Sequence, residues 1–91
     1  MKQRRLRTAI ARVLMDSQER GENGITVGQV KDRLINSGYG DVPSGRRLGQ
    51  LMRSTRGFER IDRQYIYDSD RGGSCLLSLW TINELTVREW L

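Results

Sequence analysis

The chain reads as an α+β protein, with helices first, then a β-hairpin, then a short tail. Two observations give this order. Three segments carry apolar residues at spacings of three and four, the period of a helix that buries one face. After Phe58 the period falls to two, and the turn-rich run from Asp68 to Ser74 separates two strands.

The first helix is expected over residues 3–20. Leu6, Ala9, Ile10, Val13 and Leu14 share a face, and Arg4, Arg5, Arg12 and Glu19 fall elsewhere. Arg20 stands where a cation opposes the helix dipole, and Gly21 can end the helix. A turn follows to Gly24, and Ile25 is a candidate for a very short strand. Thr26-Val-Gly-Gln has the spacing of a capping box, in which the threonine oxygen accepts from an open backbone N–H and the glutamine reaches back. It opens a second helix, 26–37, that stops at Gly38. Val27, Val30, Leu34 and Ile35 form its expected buried face, with Lys31, Asp32 and Arg33 toward water. Gly28 weakens its first turn by roughly 1 kcal/mol against alanine.

Residues 38–43 connect to a third helix, 44–56, capped either by Ser44 or by Asp41 with Pro43 in the first turn, and closed by Gly57. Leu48, Leu51, Met52 and Thr55 lie on one side of it. Arg46, Gln50 and Arg53 lie on the other, with Arg47 and Ser54 on the flank. Between Ser44 and Arg56 there are four arginines and no acid. Such a helix anchors in a core and offers guanidinium and amide groups outward. Arginine forks suit phosphates and guanine edges, and a glutamine amide suits adenine.

The hairpin is expected over 59–82, with Cys75 to Ile82 as the returning strand. In the tail, 83–91, Thr86 to Glu89 repeats the capping-box pattern, and Leu85, Trp90 and Leu91 give an apolar side. The tail is read as a short helix folded onto the core.

The 91 residues make one domain, with 36% hydrophobic content for one modest core and 30% charged content for the surface. A net charge of +5 favours a polyanionic partner. Cys75 is the only cysteine, so no intrachain disulfide forms. The absence of histidine removes the commonest general base and zinc ligand. With no Gly-rich phosphate loop before a helix and no clustered metal ligands, neither catalytic residues, metal nor cofactor are expected, and the chain is not read as an enzyme. Glu59, Asp62, Asp68 and Asp70 fit turns and exposed strand positions better than a cation site. No apolar run reaches the length of a membrane span, no signal peptide is read, and a cytoplasmic location is expected.

The order helix, short strand, helix, helix, strand, wing, strand, tail resembles the winged helix-turn-helix family over residues 3–82. The most specific stretch is Thr26 to Phe58, with its Arg-Arg-Leu-Gly-x-Leu-Met-Arg pattern from Arg46 to Arg53 and its Gly-Phe exit. It looks like winged modules of phage, plasmid and prokaryotic regulators and replication proteins. The resemblance implies a three-helix core with a C-terminal β-hairpin wing and a short C-terminal tail. It implies that the third helix enters the major groove and that the 68–74 loop lies along the backbone or in the minor groove. The residues so implicated are Ser44, Arg46, Arg47, Gln50, Arg53 and Ser54, with Arg71 at the wing tip. Asp68 and Asp70 flank Arg71 and oppose phosphate contact there.

The N-terminal cluster Lys2, Arg4, Arg5 and Arg7 either clamps phosphates on an adjacent turn or is a solvated terminus. Trp80 is assigned to packing rather than to stacking on bases, with Tyr65 and Tyr67 less decided. Cys75 is assigned as a small buried hydrophobe. Trp90 and Leu91 either cap the core or form a homodimer seam. Gly21-Glu22-Asn23-Gly24 has the Gly-x-x-Gly spacing of an RNA clamp, but Glu22 brings the wrong charge. The function expected is double-stranded DNA binding in transcriptional regulation, with no membrane and no small-molecule substrate. The rivals are a DNA-binding module of replication or mobile-element machinery and a winged protein-interaction module.

Overall fold

The structure is a computed structural model that describes the backbone of residues 3–68 and 73–91, and the side chains of residues 3–61 and 78–91. Among these are four helices and one antiparallel hairpin: α1 (Arg4–Glu19), α2 (Val27–Asn36), α3 (Gly45–Arg53), β1 (Phe58–Asp68), β2 (Gly73–Ile82) and α4 (Glu84–Val87). The order is compatible with a winged-helix-like layout. No described helix is long and apolar enough to cross a membrane.

Local chemistry sets the boundaries. At the end of α1, the N–H of Glu22 returns to the carbonyl of Ser17 and that of Gly21 to Gln18, while Gly21 adopts φ +77°. The capping box forms as expected: Thr26 Oγ1 accepts from the Gln29 N–H, and Gln29 Oε1 accepts from the Thr26 N–H. Of the two caps open for α3, Ser44 is the one used, its Oγ accepting from the Arg47 N–H at 3.4 Å. Helix α3 ends at Arg53, three residues before the expected limit, because Ser54, Thr55 and Phe58 turn back in tight i→i−3 bonds. The tail helix is capped by Asn83, whose Oδ1 accepts from the Thr86 N–H, so the expected cap at Thr86 is displaced into the helix itself.

The hairpin runs from Phe58↔Ile82 to Asp68↔Gly73, with a bulge between Arg60 and Asp62 that leaves Ile61 without a cross-strand partner. Ile25 forms an isolated bridge with Trp80, giving N···O distances of 3.0 and 2.7 Å. The base of β2 is therefore held on both edges, by Arg60 and by Ile25.

The core gathers Leu6, Ile10, Ala11 and Leu14 from α1 and Val30 and Leu34 from α2. Leu48 and Met52 come from α3, and Ile25, Phe58, Trp80, Ile82 and Val87 complete it. Trp80 is 4% exposed, which bears out its assignment to packing. Two expectations about faces change. Ala11 and Ser17 are buried as well, because α1 packs on both α2 and β2 and so covers a wider arc. Ile35 is 52% exposed: it sits about 100° round the helix from Leu34, past the stripe that meets α1 and α3. Every buried side-chain N or O among the described residues has a hydrogen-bond partner. Ser17 Oγ donates to the Leu14 carbonyl, for example; at the surface, Gln18 Nε2 bridges Thr81 Oγ1 and the Ile82 carbonyl.

Candidate nucleic-acid interface

Helix α3 stands with one side in the core and the other open. Leu48 and Met52 are fully buried, Thr55 is buried beyond the helix end, and Leu51 is half-buried. Arg46, Arg47, Gln50 and Arg53 lie on the open side, as the period of the sequence requires; Arg46, Arg47 and Arg53 are the groups that carry its charge. Gly45 and Gly49 lie against Val27 of α2, so the two helices approach closely and the arginine side turns outward.

Charge is unspent on this face. Among the described residues, the recorded ion pairs involve Asp16–Arg20, Glu22–Arg33, Arg56–Glu89 and Glu84–Arg88, and none involves Arg46, Arg47 or Arg53. Arg53 does send its Nε toward the Gly49 carbonyl at 3.4 Å, which steadies the side chain along its own helix and leaves both terminal nitrogens for a partner. The fourth arginine of the segment, Arg56, bonds Glu89 at 3.2 Å and belongs to the tail contact instead.

The two serines differ from the arginines. The Ser44 oxygen caps α3. Ser54 donates its hydroxyl proton to the Leu51 carbonyl at 2.9 Å. A hydroxyl meets a phosphate as a donor, so Ser54 is occupied in closing the helix.

The N-terminal cluster separates into different environments. Arg7 is half-buried and donates from its guanidinium to Thr55 Oγ1, tying α1 to the exit of α3, so it leaves the phosphate-clamp set. Arg5 shares a cleft of about 340 Å³ with Arg47, Tyr39 and Asp41. Arg4 is exposed and lines a larger groove along α1, which adjoins that cleft at Arg5, Tyr39 and Asp41. Lys2, and Arg71 at the tip of the hairpin, lie outside the described residues, as do the side chains of Tyr65, Tyr67, Asp68 and Cys75.

One basic residue near α3 has no distinguishing mark in the sequence. Arg60, exposed on β1, lines a cleft of about 310 Å³ with Arg53 and Ser78, whose walls include Gly28 and Gly49. Alternation alone leaves the strand's two faces equivalent. Arg60 pairs directly with Trp80 and shares the face of Phe58, and its place beside Arg53 comes from the packing of α3 against β1, which no local sequence pattern shows. The outward surface thus joins Arg5, Arg46, Arg47, Gln50, Arg53 and Arg60 across α1, α3 and β1.

Glu22, the acid of the Gly-x-x-Gly turn, is also accounted for. It takes a two-pronged bond from Arg33, 2.8 Å at each prong, and that bond holds its carboxyl below the usual carboxylate range. The turn is a structural staple between α1 and α2, and Arg33 is not the freely solvated residue expected. No group of three or more potential metal ligands occurs among the described residues. A scan against family models and searches of curated proteins and of solved structures found no match to this chain.

Proposed function

We propose that this chain is a winged helix-turn-helix protein that binds double-stranded DNA, with α3 in the major groove, and that it serves transcriptional control. The observation that carries the reading is the state of the α3 arginines. Three guanidinium groups and one amide face outward on a helix whose opposite side is locked in the core, with no ion pair to neutralise them among the described residues. Keeping such a charge density unpaired costs self-repulsion, and a polyanion relieves it. Arg46, Arg47, Gln50 and Arg53 are assigned to base edges and phosphates. Arg5 and Arg60 are assigned to flanking phosphates. Two copies joined through the tail, where Leu85 is 77% exposed, would address half-sites about one helical turn apart.

The test is direct. Arg46→Gln with Arg53→Gln should weaken binding to a selected DNA site by more than about tenfold at moderate salt, since each bidentate arginine contact contributes roughly 1–3 kcal/mol. The circular dichroism melt should stay unchanged, because neither side chain belongs to the core. Selection of bound fragments from random DNA supplies the site. Equal affinity in variant and parent would remove α3 from the interface.

A further inference from the structure

The flank of α1 carries a second feature, which adjoins the α3 surface at Arg5. An open groove of about 1390 Å³ lies between α1 and the C-terminal end of α2 with its following turn. Its lining includes Ala9, Val13 and Tyr39, three residues that are only partly buried and pack against the core from outside. Beside them stand Arg4 and Arg12, both exposed, with no ion pair recorded among the described residues. Of the other three cations along the groove, Arg5 stands where it meets the α3 cleft, and two are satisfied internally: Arg20 bonds Asp16 at 3.0 Å, and Arg33 is held by Glu22.

We propose that this groove is a docking site for an acidic amphipathic segment of a partner protein. Chemical complementarity selects that occupant. An apolar strip rimmed by cations fits a segment with an apolar stripe and flanking carboxylates, and fits it better than a uniformly charged polymer. Spacing adds a constraint. Arg4 and Arg12 lie eight residues apart on one helix, about 12 Å along its axis. Carboxylates two helical turns apart on the incoming segment match that distance, and apolar residues between them reach Ala9 and Val13, which are themselves one turn apart on α1. DNA is the weaker fit. Its phosphates gain nothing from the apolar strip, and the arginine face of α3 already serves them. The groove takes its occupant whether or not α3 reads DNA.

The experiment uses the full chain and a labelled synthetic helical peptide about four turns long, with leucines on one face and glutamates flanking them. Two comparison ligands accompany it: the same peptide with every leucine replaced by alanine, and a short DNA duplex. Fluorescence anisotropy should show saturable binding of the leucine peptide and binding weaker by about tenfold or more for the alanine peptide. Arg12→Gln should weaken the leucine peptide by about fivefold or more while leaving duplex binding as in the parent. Val13→Gln should weaken it further, and Arg12→Gln alone decides the matter if Val13→Gln does not fold. Failure of the leucine peptide to bind would overturn the proposal. So would equal binding of the two peptides, since charge alone would then suffice. Loss of duplex affinity on Arg12→Gln would place the groove in a DNA surface instead. Self-association of the parent that Arg12→Gln abolishes would make a second copy the occupant.

Discussion

Arg33 and Arg53 carry the same guanidinium, and their neighbours give them opposite fates. Arg33 meets Glu22 in a two-pronged bond across eleven residues of sequence, and the pair closes the turn between α1 and α2. Arg53 has no carboxylate recorded against it among the described residues and stays open to a partner. The Glu22 pair leads to a pH prediction with a definite sign. Arg33 lowers the folded-state pKa of Glu22, so the folded state binds this proton less readily than the unfolded chain. The pair's stabilisation is fully present above the ordinary glutamate range and is lost as pH falls through the lowered value. Arg33 is itself shifted upward by the same bond and titrates far above that window. Glu22→Gln should therefore melt below the parent near neutral pH, and the gap should close in strong acid. Because the pair is partly exposed, the gap should be modest and should shrink with added salt. Thermal melts across that range check this; a gap independent of pH would mean that Glu22 acts through packing rather than charge. The arginines that sequence can place are those whose fate is decided by helical period, such as Arg46 and Arg53. Arg7 and Arg33 are not legible there, because their partners, Thr55 and Glu22, come from other elements and no local pattern names them.

At the scale of elements, the junction after α3 is tied down from several sides. The Gly57 carbonyl accepts from the Asn83 N–H at 2.7 Å, and the indole N–H of Trp90 donates to the Arg56 carbonyl at 2.9 Å. Phe58 and Trp90 meet edge to face at 5.9 Å. The tail therefore locks the exit of the arginine helix against the start of β1. Gly57 makes this possible twice over: it holds φ +95°, and a Cβ there would sit 2.5 Å from Val87 Cγ2 and 3.1 Å from the Val87 nitrogen. Gly57→Ala should cost about 1–3 kcal/mol, from backbone strain and overpacking together. Chemical denaturation measures it, and a loss below about 0.5 kcal/mol would show that the tail gives way easily. Sequence marks Gly57 as a helix stop and leaves Trp90 open between core and seam. The structure puts Trp90 on Phe58, but leaves Leu85 and Leu91 outward, so the tail's apolar residues divide between the two roles. Helix faces are legible because the core positions of α1 and α3 repeat over several turns. Ile35 is not, since a hydrophobic residue beside a stripe is buried only if another element arrives there, and none of those described does.

For the whole molecule, the net charge of +5 says only that a polyanion is favoured; its distribution decides where one binds. Arg46, Arg47, Arg53 and Arg60, with Arg5, stand around α3, and Arg4 and Arg12 stand over the α1 groove, which Arg5 also lines. That arrangement has a thermodynamic signature. Each phosphate neutralised releases condensed counterions, so if all five arginines around α3 meet phosphates, log K should fall against log salt with a slope of about −4.5. An arginine that reads a base instead lowers that magnitude while adding sequence preference. Arg60→Gln, at a position assigned to a phosphate, should reduce the slope by about 0.9 and weaken cognate and random duplexes alike. A residue among Arg46, Arg47 and Arg53 that reads guanine should instead, on change to Gln, weaken the cognate duplex far more than the random one. Arg12→Gln should leave the slope as it was. Salt titrations of these variants on both duplexes sort every arginine into phosphate contact, base contact or bystander. A parent slope near zero would remove DNA as the partner of α3, since an exposed guanidinium face cannot bind a duplex without displacing its ions.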